Sequence, residues 1–273
     1  MTVVGPSIDS TRPSIARVYD YLLGGKDNYA VDREIGDVFF RDLPGSVAIA
    51  FANRAALIRA IVEIVTTTQI RQFIDLGSGL PTADNVHQVA QRHAPESRIV
   101  YVDNDPQVLV HGCALLEQNE RTRVVRADVR DPETVRTHPD TLEVIDFDRP
   151  VAVIFSAILH HVNDEEDPAG IVRHWRDHVP SGSHFFVSHF RSGDNPETEE
   201  AERVLQKTFG RGRWRTDAEI ASLLDGLEIL DPGIVPAPRW RPDTNPNPWS
   251  DGGAERELSV WQHLIVAGLA RKP

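Results

Sequence analysis

The chain's strongest constraint on fold is an alternation that begins near residue 70. Short apolar runs at 72–76, 99–103, 123–126, 151–156 and 183–189 are separated by helical stretches at 82–94, 105–118 and 168–178. Parallel neighbours need a crossover, so this pattern predicts right-handed βαβ units. The end of the chain breaks the pattern. Runs at 227–230 and 258–269 read as two more strands with no room for a helix between them. The last strand is therefore expected to be antiparallel at the sheet edge. A segment rich in Pro, Trp and Asn, from 232 to 253, joins the two. Residues 1–66 instead read as helical. Ile15, Val18, Tyr19 and Leu22 follow i, i+3, i+4, i+7 spacing, and Gly24-Gly25 stops that helix. A second helix carries Ile35, Val38 and Phe39 and ends at Pro44-Gly45; a third carries Ile58, Ile61, Val62 and Val65. The expected organisation is an N-terminal helical cap over 1–66 and an α/β core over 67–273.

The run at 72–76 leads into Gly77-Ser78-Gly79-Leu80-Pro81-Thr82. Glycines at such a turn allow positive φ and close approach of backbone to a ligand. A helix opening at 82, with Pro81 in its first turn, offers unpaired N–H groups and a positive dipole end. Asp75 stands just before the turn, Asp103 ends the next strand and Asp128 the third. Ligands of open α/β sheets bind at that edge. A carboxylate at 103 accepts from both hydroxyls of a ribose. One at 128 accepts from an adenine amino group, with the Val129 backbone against the ring. A dinucleotide fingerprint needs a third glycine, and residue 82 is threonine. Asp75 would also repel a pyrophosphate, but it suits the ammonium of an amino-acid moiety. The pattern favours S-adenosylmethionine (SAM) over NAD.

The order Asp75-x-Gly77-x-Gly79, Asp103, Ala127-Asp128 resembles the class I SAM-dependent methyltransferases. The stretch SIARVYDYLLGGKDNYAVD, from Ser14 to Asp32, resembles a narrower, largely actinobacterial family called S-adenosyl methyltransferases. DLGSGLPT at 75–82 and YVDNDP at 101–106 resemble it too. Pro81 departs from the superfamily's further glycine but agrees with this family. The resemblance spans nearly the whole chain. It implies a Rossmann-like class I methyltransferase fold: a seven-stranded, mostly parallel sheet with an antiparallel last strand and an N-terminal helical cap. It also implies SAM as methyl donor and S-adenosylhomocysteine (SAH) as product. The cofactor contacts would come from Asp75, Gly77, Ser78, Gly79, Asp103, Asn104, Asp128, Val129 and Ser156. The acceptor is left open.

Methyl transfer from a sulfonium is an in-line displacement from an activated donor. Orientation alone can supply on the order of 7–11 kcal/mol. A base is needed only where the nucleophile must lose a proton. The polar turn at 24–29 is expected to close over the sheet edge, with Tyr19, Asn28 and Tyr29 lining the methyl pocket. A plainer alternative makes Gly24-Gly25 a helix stop and the tyrosines core. His160 or His161, in FSAILHHV at 155–162, is a candidate base, one and not both, because neighbours on a helix point about 100° apart. Members that methylate amino groups of DNA bases often carry Asn/Asp-Pro-Pro-aromatic at this place, and this chain does not. Trp240, Trp249 and Trp261 are expected to pack under the long C-terminal loop. No metal site is expected, because no His-x-x-x-His pair on one helix is flanked by a suitable Cys or Glu pattern. Asp164-Glu165-Glu166-Asp167 reads as a solvated helix start.

The formal net charge of −12, with no block of Lys and Arg, disfavours nucleic acid and anionic membrane surfaces. No apolar run approaches the roughly 18 residues of a membrane helix. Cys113 is the only cysteine, which excludes an intrachain disulfide and fits a cytoplasmic location. The expected partner is a small-molecule acceptor. Two rivals remain: a catalytically silent SAM- or SAH-binding module that uses the same residues, and a nucleotide-dependent oxidoreductase.

Overall fold

The computed structural model describes residues 8–116, 119–193, 196–242 and 257–273. Three helices come first: α1 (Ile15–Leu22), α2 (Ala30–Asp42) and α3 (Val47–Thr67). The alternating part follows as β1 (Gln72–Leu76), α4 (Val86–His93), β2 (Arg98–Asp103), α5 (Pro106–Leu115) and β3 (Thr122–Arg126). It continues with α6 (Pro132–Thr137), α7 (Pro139–Val144), β4 (Ala152–Ser156), α8 (Pro168–His178) and β5 (His184–Phe190). The chain closes with α9 (Pro196–Phe209), α10 (Asp217–Ser222), β6 (Glu228–Ile229), β7 (Val235–Pro236), α11 (Val260–Leu264) and β8 (Ile265–Arg271).

The strands lie in the order β3-β2-β1-β4-β5-β8-β6, and the two-residue β7 pairs with β8 off that path. The strands from β3 to β5 are mutually parallel, while β8 runs antiparallel to every partner. After β1 the chain builds outward through β2 and β3; it then returns to β4 on the other side. This makes β1/β4 the switch point at which open α/β sheets bind ligands.

Both faces of the sheet are covered, which is why β1 is buried at every position. Phe73, Ile99, Tyr101, Ile154 and Phe186 pack with α3 and α4. Their strand neighbours Ile74, Val100, Val102, Val153 and Phe155 pack with Ile171, Val172 and Trp175 of α8. Helix α3 is apolar nearly all round, and this suits its place between sheet, α1 and the C-terminal segment. It joins the same core cluster as the strands, although it precedes residue 67. Helices α5 and α8 start by one device. Asp105 and Asp167 accept the N–H of Gln107 and Gly170, each at 2.8 Å, and a proline follows each cap.

Four local expectations need correction. The last strand, β8, lies between β5 and β6 and not at the sheet edge, because β6 pairs on its outer side. The helix expected over 82–94 begins only at Val86, because Asn85 caps it and exchanges hydrogen bonds with Gln88 and Thr82. Pro81 therefore lies in a loop between β1 and α4, not in a first helical turn. The apolar run at 258–269 is a short helix followed by a strand. Ser259 and Gln262 form a capping box there, and hydrophobicity alone does not separate helix from strand in so short a run. Segments 132–144, 196–209 and 217–222 are helical where no element was expected. Trp240 is fully buried beneath the end of the chain, and its carbonyl accepts from Arg59 Nε at 3.0 Å. The Trp261 indole donates to Pro44 O at 2.8 Å. Trp249 lies outside the described residues. No described helix is long and apolar enough to cross a membrane.

Candidate active site

A cavity of about 590 Å³ opens where the C-terminal ends of β1 to β4 meet α1. Asp75, Gly77, Ser78, Gly79, Asp103, Asn104, Asp128, Val129 and Ser156 all line it. So do Tyr19 and His160. Asn28 and Tyr29 stand outside the lining.

Gly77 has φ of +72°, and a Cβ there would come within 2.5 Å of Ile158. Its N–H donates to Val102 O at 2.8 Å, which ties the turn to β2. Gly79, with φ of +66°, has open space where a Cβ would stand. Its N–H donates to Asp103 Oδ2 at 2.9 Å, and the Asp105 N–H reaches Oδ1 at 2.9 Å. Burial still pushes the Asp103 carboxyl up to about 6. Asp75, deeper in the same wall, is pushed up to about 7 by burial; the Arg54 guanidinium opposes the rise and the Asp103 charge adds to it. Arg54 reaches over from α3. Its Nη2 is held by the carbonyls of Ala83 and Asp84 at 3.2 and 2.7 Å. Its buried Nε has no hydrogen-bond partner among the described residues.

Asp128 is differently placed. The Arg130 fork grips it at 2.9 and 2.6 Å, the Arg130 N–H adds a bond at 2.9 Å, and Asn104 Nδ2 adds one at 3.2 Å. The Arg130 bonds are the chief reason its carboxyl sits down at about 2. Arg130 also pairs with Glu166, which lies 3.5 Å from Arg211. The acidic run thus supplies partners for arginines at the cavity rim as well as a helix start.

At the end of β4 lies a neutral polar cluster. Asn53 Nδ2 donates to Tyr19 Oη at 3.1 Å and to Ser156 Oγ at 3.3 Å, while its Oδ1 accepts from Ser188. Tyr19 in turn donates to Ala50 O at 3.1 Å. Beyond this, His160 and His161 sit on a 3₁₀ turn with ring centroids 4.3 Å apart. His160 stacks on Phe190 at 4.0 Å, and its Nδ1 accepts the Phe190 N–H at 3.3 Å. His161 also lines the cavity, yet its buried Nδ1 has no hydrogen-bond partner among the described residues. Burial holds His160 well below the usual imidazole value. It brings His161 down to about 4, with the Arg211 charge assisting. Both rings are therefore uncharged near neutrality.

The 14–32 motif is a buried polar scaffold. Asp32 accepts the Ser14 N–H at 2.9 Å, Arg17 Nε at 2.8 Å and the Tyr29 N–H at 2.8 Å. Asp20 accepts the Asp27 N–H at 3.0 Å and Asn28 Nδ2 at 2.8 Å. A Cβ on Gly25 would fall 2.0 Å from Asp20 Oδ1, so glycine is required where the carboxylate turns the chain. The Tyr29 ring lies under the Arg17 guanidinium, 5.2 Å away. Contacts that clamp the scaffold to the core include the Ser14 hydroxyl on Asp105, and Gln107 Nε2 on Asp27 O at 2.9 Å. Asn28 and Tyr29 thus brace the cap, and Tyr19 is the member of the trio that reaches the cavity.

Asn53, Arg54 and Arg130 were not singled out from sequence, and His161 entered only as the alternative base to His160. The one local signal was Asn53-Arg54 itself, a polar pair inside the apolar first half of α3.

Fold and cavity together define a class I SAM-dependent methyltransferase. Relatives place it more narrowly. The sequence pattern of the S-adenosyl methyltransferase family matches residues 1–273, and the chain belongs to that family. A Thermobifida fusca protein provisionally assigned as a methyltransferase is 39% identical, with 100% of this chain and 99% of that one covered at a TM-score of 0.90. A DUF574 family protein from Streptomyces avermitilis is also 39% identical, with 98% and 100% covered at 0.90. The N-methyltransferase NodS from Bradyrhizobium japonicum, solved with SAH, shares the fold at 10% identity, 94% and 99% coverage and a TM-score of 0.50. No curated protein matches the chain by sequence.

Proposed function

We propose that the chain transfers the SAM methyl group to a small molecule seated between Ser156, His161, Phe190 and Phe209. The observation that carries this is the ring of Asp75, Asp103 and Asp128, from three adjacent strands, around one cavity at the switch point. The donor set fits SAM. Each Asp103 oxygen has one backbone N–H on it and a lone pair to spare for a ribose hydroxyl. Asp75 suits the ammonium, and the free Nε of Arg54 suits the carboxylate beside it. Asp128 already accepts four hydrogen bonds, so an adenine amino group must displace Arg130 or Asn104. When bound, SAM supplies a methyl group already activated by its sulfonium. The chain orients the acceptor, excludes water with α1 and Tyr19, and offers the unpaired Nδ1 of His161 to an O–H or N–H of the nucleophile. An uncharged imidazole is the form that can accept that proton. Residues 1–66 act as cap, with α1 over the site, α2 packed on α1 and α3 as their base. A chain with one cysteine suits the cytoplasm.

Calorimetry with SAM and SAH tests the site. Tight binding to wild type is expected, weakened by roughly 10–100-fold in Asp103→Ala, the worth of a charge-assisted hydrogen bond of about 1.5–3 kcal/mol. Mass spectrometry for SAH over pooled small molecules then tests turnover, with His161→Ala slower at unchanged SAM affinity. Binding without SAH from any pool would make the chain a silent SAM-binding module. No binding at all would remove the cofactor site.

A further inference from the structure

Away from the cavity, α8 carries His174 and His178 one turn apart, and α6 brings Glu133 against them. From this we infer a transition-metal site, suited to Zn²⁺, with His174, His178 and Glu133 as its three protein ligands. One donor atom from each residue lies within 4.8 Å of the other two. His174 Nε2 is buried, makes no hydrogen bond among the described residues, and stands 3.5 Å from Glu133 Oε2. Two ligands at zinc bond lengths of about 2.0–2.1 Å on a tetrahedral ion stand about 3.3 Å apart, so this pair is already nearly in place. The imidazoles are stacked with centroids 4.2 Å apart and planes 25° apart, which sets their edges side by side. His178 and Glu133 are exposed, so small side-chain rotations can close the remaining gap.

The surrounding bonds are those a ligand set needs. His178 Nδ1 lies 2.8 Å from the His174 carbonyl, so it carries the proton there and leaves the Nε2 lone pair for a metal. Metal-bound histidines commonly donate their other N–H in this way. Glu133 is fixed by the Arg136 fork at 2.9 and 2.7 Å, which orients the carboxylate and leaves each oxygen a lone pair. Two imidazoles and a carboxylate make a borderline set that favours Zn²⁺, Co²⁺ or Ni²⁺ over Mg²⁺ or Ca²⁺. A fourth position is left for water. The sequence hid the site because Glu133 belongs to another helix and does not flank the His-x-x-x-His pair. A metal here would clamp α6 to α8. Those helices lead off from Asp128 and from Glu166, the two acids that Arg130 bridges at the cavity rim.

The test titrates the full chain, free of any histidine tag, with ZnCl₂ by calorimetry and with CoCl₂ by visible absorption. One equivalent of Zn²⁺ should bind, and Co²⁺ should give the intense bands of a tetrahedral ion. His174→Ala and His178→Ala should each weaken Zn²⁺ by about 100-fold, and Glu133→Gln by about tenfold. His263→Ala, at an exposed histidine elsewhere, should leave binding unchanged. Zn²⁺ should raise the thermal midpoint of wild type and not that of His178→Ala, whose exposed side chain can be removed without disturbing the core. Equal binding by wild type and both α8 variants would overturn the proposal. So would an absence of binding at 100-fold molar excess.

Discussion

Burial raises the Asp75 carboxyl to about 7, so the free protein holds this acid partly protonated near neutrality. The folded value lies above the unfolded one near 3.8, which means the folded state binds the extra proton. The stability this group contributes is complete below about pH 4 and is lost as pH rises through about 7. An ammonium bound beside Asp75 needs the ionised form, so SAM affinity should rise over the same window. Asp75→Asn separates the two effects. The variant should melt above wild type by a margin that widens from pH 5 to pH 8. It should also bind SAM roughly 10–100-fold more weakly, the worth of one charge-assisted bond. Paired thermal melts and calorimetry across that range check both. A variant that binds SAM like wild type would remove Asp75 from the ammonium site. Asp75, Asp103 and Asp128 were legible because strand ends place them on one edge. Arg54 was not, and His161 was legible only as an alternative to His160. Their roles rest on an Nε and an Nδ1 left without partners, which only packing creates.

At the scale of elements, the N-terminal motif was visible as a pattern and opaque as a device. Its contacts Ser14 to Asp105 and Gln107 to Asp27 join segments far apart in the chain, and no local spacing announces them. The helix boundaries after β1 and before β8 were misplaced for a related reason, since caps at Asn85 and Ser259 decided them and apolar periodicity did not. The motif's energetic centre is the pair Arg17–Asp32, with side chains 4% and 0% exposed. Removing Asp32 leaves the buried Arg17 to Asp105, 3.9 Å away, and breaking such a buried pair costs about 3–5 kcal/mol. Asp32→Ala should therefore lower the unfolding free energy read from a urea titration by an amount in that range. It should weaken SAM binding as well, because the clamp of α1 on Asp105 loosens. Tyr29→Phe should change stability by no more than about 0.5 kcal/mol, since what Tyr29 gives the motif is its backbone N–H and ring face. A Tyr29→Phe variant that lost turnover at full stability would return that hydroxyl to the reaction.

At the scale of the whole molecule, parallel strands were readable from the alternation and an antiparallel last strand from the break in it, but not the place of β8 between β5 and β6. The interleaving of cap and core was not. Helix α3 precedes residue 67, yet it packs in the core with β4, β5 and β8 and carries Asn53 and Arg54 to the cavity. Separate pieces of chain thus complete one site, and SAM should bind only when all are assembled. A ligand that binds the folded state alone stabilises it by about 2.7 kcal/mol at 100 times its Kd. For a chain of this size that corresponds to a thermal shift of about 5–10 °C. Scanning calorimetry should show one transition that SAM moves upward as a whole, with Asp103→Ala moving far less at the same SAM concentration. If α1, α2 and α3 instead formed an independent cap, two transitions would appear and the first would melt without disturbing the sheet. The burial of α3 argues for the single transition, because unfolding the cap would strip one face of the sheet and carry the core with it.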